Sequence, residues 1–289
     1  MKKFLTTICL LAAAALVLTA CNGSGFDASR SVTVLAREDG SGTKSAFMEI
    51  IGLKGKPDPA NAVIQSSTAA VYNEVKDNPA AIAYESLGFV NADVKMFKVD
   101  GAAATVENIA NGTYGIARPL AVVYQESALN KDVNKAFFNF MQSSGAQQII
   151  VDKGFVSILN DTQAYTIDGA LSGVIDVSGS TSVQPLMIEL AAVFEKLQPN
   201  VKVNVSGGGS GTGYNNAENG VSDFGMISEE FNPERAPSCV YMNIAKDGIA
   251  VIVNPKNPID NITTEQLQRI FDGEAGANAI TVWSELMNK

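Results

Sequence analysis

Three short loops rich in glycine and serine constrain the fold of this chain most strongly, because each follows an apolar segment and precedes a helical pattern. They are R-E-D-G-S-G-T (37–43), S-G-S-T-S (178–182) and G-G-G-S-G-T-G (207–213). The first turn of a helix has unpaired backbone N–H groups and a partial positive charge. Glycine lets the backbone approach a ligand closely, and serine and threonine hydroxyls add donors. The three loops together favour an uncharged binding site for an anion.

The pattern around these loops predicts an α/β fold. Apolar or alternating segments predict strands at 32–36, 80–84, 94–99, 174–177, 201–205 and 249–253. Helical spacing predicts helices over 43–51, 132–153 and 183–197, with Phe137 in the core and Pro185 in the first turn of the third. A capping box of Thr263 and Gln266 predicts a further helix that ends near Phe271. Strands that alternate with helices indicate mainly parallel sheets.

Composition excludes several classes of function. The chain has 289 residues, of which 46% are hydrophobic, so it can bury one large core or two smaller ones. It contains no histidine, which rules out Ser-His-Asp triads, Cys-His pairs and histidine-ligated zinc sites. We expect no metal and no cofactor. The net charge of −9 argues against nucleic acid as a partner, because nucleic-acid binding requires clustered cations.

The N-terminus predicts export and lipid attachment. Two lysines precede an apolar segment (4–18), and L-T-A-C at 18–21 resembles the lipobox of bacterial lipoproteins. Residues 1–20 are therefore predicted to be a signal peptide, Cys21 the lipidated first residue and 21–30 a tether to the membrane. The alternatives are an uncleaved anchor helix or plain secretion. Loss of the signal peptide would lower the net charge to −11, and Cys239 is expected to be a half-buried bystander.

Five motifs resemble those of one family. They are R-E-D-G-S-G-T, V-S-G-S-T-S-V-Q-P-L, V-N-V-S-G-G-G-S-G-T-G, D-F-G-M-I-S and D-G-I-A-V-I-V-N-P, and they extend over nearly all of the predicted mature chain. They are similar to motifs in the phosphate-binding protein of the bacterial high-affinity phosphate ABC importer, a periplasmic binding protein of type II. The resemblance implies two α/β lobes that close on one phosphate and deliver it to a membrane permease. It implies an extracytoplasmic, lipid-anchored protein that is not an enzyme; we expect a monomer, with a domain-swapped dimer as the alternative.

The resemblance also assigns ligands motif by motif. The expected phosphate-binding residues are Arg37, Ser41, Gly42 and Thr43 from the opening loop, Thr181 and Ser182 from the second, and Ser210 from the third, with Ser228 beside them. Arg37 would donate to phosphate through its planar guanidinium group. Asp39 is expected to hold that guanidinium in place, or else to be a simple turn residue.

The motifs occur in an exchanged order. Residues 31–158 resemble the second half of the family, and residues 174–289 resemble its first half, which is the pattern of a circular permutation. Residues 157–175 would then join the former termini. The permutation predicts one lobe from 31–113 and 252–289 and a contiguous second lobe from 117–248. The alternative is a rearrangement product that folds poorly.

The chain departs from the family at Ser228, where an aspartate often accepts the proton of HPO₄²⁻. Serine can donate and accept, so it can hold protonated phosphate but rejects sulfate less firmly than a carboxylate. Glu229 and Glu230 follow, and they are expected to form a solvated face rather than to supply the acceptor. The alternatives are a receptor for another tetrahedral oxyanion such as sulfate or molybdate, a surface protein that senses phosphate, and a hydrolase that uses Ser41 or Ser210.

Overall fold

The computed structural model describes residues 25–159, 162–167 and 171–287. The predicted signal peptide and Cys21 lie outside these residues, as do 160–161 and 168–170 of the predicted linker. The strands are β1 (Thr33–Arg37), β2 (Val63–Gln65), β3 (Ala81–Ser86), β4 (Lys95–Met96), β5 (Lys98–Val99), β6 (Ala117–Tyr124), β7 (Gly173–Gly179), β8 (Val201–Gly207), β9 (Phe224–Ile227), β10 (Val240–Val253) and β11 (Asn261–Ile262). The α-helices are α1 (Gly42–Ile50), α2 (Thr68–Asp77), α3 (Val106–Ala110), α4 (Asp132–Met141), α5 (Ser144–Asp152), α6 (Gln184–Leu197), α7 (Ser210–Glu218), α8 (Thr264–Phe271) and α9 (Ser284–Met287).

One curled sheet runs through the whole molecule in the order β2-β1-β3-β10-β6-β9-β7-β8, with β4 beside β10. Its two ends are parallel: β1 pairs in parallel with β2 and β3, and β7 pairs in parallel with β8 and β9. Its middle is antiparallel, because β10 runs against β3 and β6, and β6 runs against β9. The predicted α/β fold with parallel sheets flanked by helices is therefore confirmed.

The buried apolar side chains form separate clusters at the two ends of this sheet. One cluster takes its residues from Val32 to Ile116 and from Ile249 to Leu286. Two others take theirs from the stretch between Leu120 and Ala245. We call the part of the molecule around the first cluster the terminal half, since it contains both ends of the described chain. We call the part around the other two clusters the central half.

Strand β10 belongs to both halves. Its first part, Val240–Gly248, pairs with β6 in the central half, and its second part, Ile249–Val253, pairs with β3 in the terminal half. A register shift between Asn243 and Ala245 bends the strand before the crossing. The chain passes between the halves in β6 and returns in β10, so the two crossings are neighbouring strands.

The two ends of the described chain lie side by side in the terminal half. The Ser284 amide donates to the Ala28 carbonyl at 2.8 Å, and the Val32 amide donates to the Thr281 carbonyl at 2.8 Å. Trp283 is fully buried and packs edge-on against Phe26, with ring centroids 5.6 Å apart. These contacts fix the two ends together.

Three of the predicted helices and strands differ in length from the observed ones. The predicted strand over 94–99 is two short strands, since β4 pairs with β10 whereas β5 pairs with β11. The predicted helix over 132–153 is interrupted, because the Ser143 hydroxyl accepts from the Ala146 amide and begins α5 as a new helix. The apolar strand at 249–253 is only the second part of the 14-residue β10. The capping box of Thr263 and Gln266 is confirmed.

Other predicted features are found in the structure. Phe137 is fully buried, and Pro185 lies in the first turn of α6. Cys239 is buried rather than half-buried, and burial raises the pKa of its thiol to about 11, which keeps it protonated and unreactive near neutrality. Within the described ranges, no helix has both the length and the apolar character needed to cross a membrane.

Candidate functional site

Four helices begin at the boundary between the two halves. Helices α1 and α2 belong to the terminal half and follow β1 and β2, whereas α6 and α7 belong to the central half and follow β7 and β8. Strands β1, β2, β7 and β8 each end where the next loop turns into one of these helices, so all four N-terminal turns lie along the carboxyl ends of the strands. The unpaired N–H groups of these turns provide a positive potential that requires no charged side chain.

Arg37, at the end of β1, is the charged centre of this boundary and is only 1% exposed. Its Nε and Nη2 donate to the two carboxylate oxygens of Glu38 at 2.8 and 2.9 Å. Its Nη2 also donates to Thr181 Oγ1 at 3.0 Å, and its Nη1 donates to Thr68 Oγ1 at 3.2 Å and to Glu85 Oε1 at 3.5 Å. All five guanidinium N–H groups therefore have acceptors.

Burial opposes the charge on Arg37, but the hydrogen bond to Glu38 and the nearby charge of Glu85 outweigh it and raise the pKa of Arg37 above its ordinary value. Arg37 therefore stays charged at every pH at which the protein is folded. Full burial also raises the pKa of the Glu85 carboxyl group above its ordinary value, against the lowering effect of Arg37. The site thus combines a permanent cation with a carboxyl group whose charge is less stable than that of an exposed glutamate.

Threonine and serine hydroxyls surround the end of the guanidinium. Thr43 Oγ1 and Ser182 Oγ are 2.8 Å apart, and Thr68 Oγ1 is 3.2 Å from Ser182 Oγ and 3.4 Å from Thr181 Oγ1. Thr43 and Thr68 belong to the terminal half, whereas Thr181 and Ser182 belong to the central half. The two halves therefore meet through hydroxyl groups, which can donate or accept as a ligand requires.

A second group of hydroxyls comes from the central half. Ser180 Oγ donates to Ser228 Oγ at 2.9 Å, and the Ser228 amide donates to Ser210 Oγ at 3.1 Å. Gly42 of α1 faces this group so closely that a Cβ atom there would lie 2.3 Å from Ser210 Oγ and 2.8 Å from Ser228 Oγ. Only glycine fits at the first residue of α1 in this arrangement.

The opening loop also contacts the triple-glycine loop through the backbone. The Gly211 amide donates to the Gly40 carbonyl at 2.9 Å, where Gly40 has a left-handed φ of 86°. Ser41 is buried and caps α1, with its hydroxyl accepting from the Lys44 amide at 3.4 Å. The structure thus brings together Arg37, Ser41, Gly42, Thr43, Thr181, Ser182, Ser210 and Ser228, which are the residues predicted for the site.

The prediction that Asp39 holds Arg37 is wrong. The Asp39 side chain is fully exposed and accepts from Lys44 Nζ at 2.9 Å. Glu38 holds the guanidinium instead, through both of its oxygens. Glu38 thus lies beside the guanidinium at the strand end, whereas the Asp39 side chain points to solvent.

The prediction of a solvated face after Ser228 is wrong for Glu229, which is 7% exposed. Its carboxylate accepts from Arg235 Nη1 at 2.7 Å, and the Arg235 guanidinium lies 4.2 Å from the Tyr214 ring centroid. Glu229 therefore forms an ion pair with Arg235 and does not accept a hydrogen bond from the serine hydroxyls around Ser228. Glu230 is exposed.

Sequence reasoning missed four residues of the site: Thr68, Glu85, Arg118 and Ser180. Thr68 lies in the segment V-I-Q-S-S-T, which follows the same strand-loop-helix pattern without a glycine and could have been found by it. Arg118 Nη1 donates to the Ser228 carbonyl at 3.0 Å, and its Nη2 donates to Asp247 at 3.1 Å. Because Arg118 and Asp247 lie on β6 and β10, this pair fixes Ser228 to the crossing strands.

The geometry defines the chemistry that the site can perform. It offers the Arg37 guanidinium, several adaptable hydroxyls and four helix N-termini, which suits recognition of a small oxyanion. No group of three His, Cys, Asp or Glu side chains in the described part of the chain is arranged to hold a metal ion. Two α/β halves with a polar site buried between them define a two-lobed solute-binding protein.

Comparison with known proteins agrees with this class. The model of the PBP superfamily domain matches residues 22–144 and 163–289. The phosphate-binding protein PstS 2 of Streptococcus pneumoniae is 35% identical and aligns over 99% of both chains. The PstS 2 protein of Streptococcus agalactiae is 33% identical over 93% of both chains.

A solved structure shows the same fold. The phosphate-binding protein of a phosphate ABC transporter from Streptococcus pneumoniae superimposes with a TM-score of 0.70 at 35% identity, over 88% of this chain and 99% of that one. The chain belongs to the PBP superfamily and, within it, to the family of phosphate-binding proteins of phosphate ABC transporters.

Proposed function

We propose that this protein captures inorganic phosphate between its two halves outside the cytoplasm and delivers it to an ABC permease. The observation that carries the proposal is the position of Arg37. Its Nη1 and Nη2 face hydroxyls from both halves, while Glu38 occupies its other edge. A tetrahedral oxyanion placed at that end can accept two parallel N–H bonds from Arg37.

The hydroxyl contacts indicate how phosphate would be held. Phosphate would take the guanidinium N–H groups that now donate to Thr68 and Thr181, and the hydroxyls of Thr43 and Ser182 would turn from each other toward its oxygens. The N-terminal turn of α1 would add backbone donors. We propose Arg37, Ser41, Gly42, Thr43, Thr181, Ser182, Ser210 and Ser228 as ligands, with Thr68 as an addition.

We further propose that the two halves are lobes that close on the ligand. The separate apolar clusters support independent packing of each half, and the crossings lie in two neighbouring strands. A ligand that contacts both halves favours the closed arrangement, because it binds that arrangement more tightly. The proposed lobe boundaries are 31–113 with 252–289, and 117–248.

The proposed location is the outer face of the cell membrane, with lipid on Cys21. The family of phosphate ABC transporter binding proteins supports an extracytoplasmic location. The apolar segment and L-T-A-C sequence support the lipid. The proposal of a binding protein rather than an enzyme rests on the relatives, which are solute-binding proteins, and on the absence of histidine from the sequence.

We also propose that the halves occur in a circularly permuted order. The phosphate-binding protein PstS of Bacillus subtilis matches only 41% of this chain and 39% of its own length, at 33% identity. A match over about half of each chain is expected when two proteins share both halves in opposite order, because one continuous alignment can include only one of the halves. The streptococcal relatives align from end to end, so they have the order found here, which argues against a poorly folding rearrangement product.

A reordered chain tests the permutation. A variant that runs from residue 171 to 287, continues through a short linker into residue 25 and ends at residue 159 should unfold cooperatively and bind phosphate within about threefold of wild type, since permutation is tolerated at adjacent surface ends. Calorimetry would measure both properties. The control is the same circle opened between Val177 and Ser178 inside β7, which should not fold. Failure of the first variant to fold would contradict the proposed order.

Substitution of Thr68 tests the proposed ligand set at a residue that the sequence analysis did not predict. Thr68→Val removes one neutral hydrogen bond to phosphate, and we expect a loss of about 1 kcal/mol, or about fivefold in affinity. Isothermal titration would measure it. Thr264→Val is the matched control, because Thr264 is likewise the first residue of a helix but its hydroxyl bonds to Asp100. Equal affinities in the two variants would remove Thr68 from the site.

Titration of dialysed wild-type protein with phosphate and with sulfate tests the function itself. We expect saturable phosphate binding with one site per chain. The absence of any phosphate signal up to millimolar concentrations would overturn the proposal, and tighter binding of sulfate would favour the alternative oxyanion receptor. Because the family often has a carboxylate where this chain has Ser228, sulfate is the informative competitor.

A further inference from the structure

Carboxylates outnumber guanidinium groups around the proposed phosphate site. Arg37 contacts Glu38 and Glu85, and Arg118 contacts Asp247. The side chains of Glu85 and Asp247 are fully buried, and that of Glu38 is 24% exposed. With every group ionised, the cluster carries three negative and two positive charges. A further anion therefore increases an existing excess of negative charge in a place of low dielectric constant.

Glu85 is the member of this cluster that no part of the proposed function uses. Its Oε2 accepts from the Ser86 amide at 3.1 Å, and its Oε1 lies 3.5 Å from Arg37 Nη1. The same Nη1 donates to Thr68, whose hydroxyl lies at the end of the guanidinium where phosphate would bind. Arg37 Nη1 thus lies between Glu85 and the proposed ligand position.

The side chains that act on Glu85 come from three neighbouring elements: Arg37 from the end of β1, Thr68 from α2 and Arg118 from β6. Further titratable groups contact these arginines: Glu38 and the Tyr84 hydroxyl lie against Arg37, and Asp247 lies against Arg118. Arg37 is largely neutralised by Glu38, and Arg118 by Asp247. Little positive charge remains to balance Glu85, and burial accordingly raises the pKa of this carboxyl group.

We propose that Glu85 is a specificity-determining residue whose negative charge makes phosphate bind together with one additional proton. The loaded protein then holds one proton more than the empty protein and free HPO₄²⁻ held before binding. This inference rests on the proposed function. The extra proton comes from the buffer and sits on the bound phosphate, which is held as H₂PO₄⁻ rather than HPO₄²⁻ because Glu85 stays ionised on the other side of Arg37 Nη1. Sulfate is not protonated near neutral pH and must bind as a dianion, so Glu85 favours phosphate. It therefore supplies, from β3, the negative charge that Ser228 does not.

Proton counting tests this role. Titration of the full chain with phosphate at about pH 8, in two buffers that differ in ionisation enthalpy, gives the number of protons taken up on binding. We expect about one proton per phosphate for wild type and close to none for Glu85→Gln. We also expect the ratio of sulfate affinity to phosphate affinity to rise at least about tenfold in Glu85→Gln, since one buried negative charge has been removed.

Two further variants make the test specific. Glu85→Asp keeps the charge and should keep the proton uptake. Glu189→Gln removes an exposed carboxylate that pairs with Lys153 on the surface of the central half, and it should behave as wild type. If Glu85→Gln does not fold, the Asp variant and the pH dependence of sulfate competition in wild type take its place.

The outcomes separate this inference from the proposed function. Phosphate binding with equal proton uptake in wild type and Glu85→Gln, or sulfate that competes equally with phosphate in wild type at every pH, would overturn the role of Glu85 and leave the proposed function standing. A wild-type protein that binds no phosphate would overturn both.

Discussion

Arg37→Ala should lower phosphate affinity about ten- to 150-fold, because a charge-assisted hydrogen bond in a buried site contributes about 1.5–3 kcal/mol. Arg37 is the one guanidinium that faces hydroxyls from both halves, so no other side chain in the described site can replace its two parallel donors. Arg37→Lys should bind weakly as well, since an ammonium group keeps the charge but not the planar pair of N–H groups. Isothermal titration with phosphate would measure both losses.

Arg37→Ala also leaves two carboxylates without their cation. Loss of one partner of a buried ion pair typically costs about 3–5 kcal/mol, so the free energy of unfolding should fall as well. Thermal denaturation must therefore accompany the titration. Arg30→Ala is the control, because Arg30 is an exposed arginine of the same half. Folded Arg37→Ala protein with wild-type affinity would exclude Arg37 as a ligand.

Gly42→Ala should weaken phosphate binding without weakening the fold. The added Cβ would lie 2.3 Å from Ser210 Oγ and 3.1 Å from Ser210 Cβ, both across the boundary between the halves. Overpacking of this kind typically costs about 1–3 kcal/mol, which corresponds to about five- to 150-fold in affinity for a ligand that requires the closed arrangement. Alanine also favours the helix α1, so the melting temperature should stay the same or rise slightly.

The matched control for Gly42→Ala is Gly145→Ala, near the start of α5, where the nearest heavy atom to an added Cβ lies 3.9 Å away. This variant should bind phosphate as wild type does. A loss of binding in Gly42→Ala with unchanged melting would place the defect in closure. Unchanged binding would show that the halves do not need to approach as closely as the structure indicates.

The loops that line the boundary between the halves could be found in the sequence because glycine, serine and a preceding apolar strand are local signals. The choice of Arg37, Thr43, Ser182 and Ser210 within them came from matching the loops to the motifs of the family. Thr68 was missed because its segment contains no glycine and matches none of the quoted motifs, although it has the same order of strand, loop and helix. Its position in the site depends on β2 pairing with β1, which is a tertiary contact.

The partner of Arg37 shows a second limit of sequence reasoning. Two neighbouring acids follow the arginine, and the sequence cannot decide which of them folds back. The structure selects Glu38, because the turn that ends at Gly40 directs Asp39 toward Lys44. Glu85 could not be predicted as a partner of Arg37 for a different reason. It lies inside an apolar strand, 48 residues from Arg37 in the chain, and only the sheet brings the two together.

The placement of both crossings in neighbouring strands has a consequence for how affinity is set. Rotation about β6 and β10 would separate the halves while their ladder stays intact, and only contacts such as those of Thr43 with Ser182 and of Gly211 with Gly40 would break. The protein without ligand would therefore be able to exchange between open and closed arrangements. The measured dissociation constant equals that of the closed form divided by its population. Substitutions in the hinge, far from phosphate, should shift affinity through that population alone.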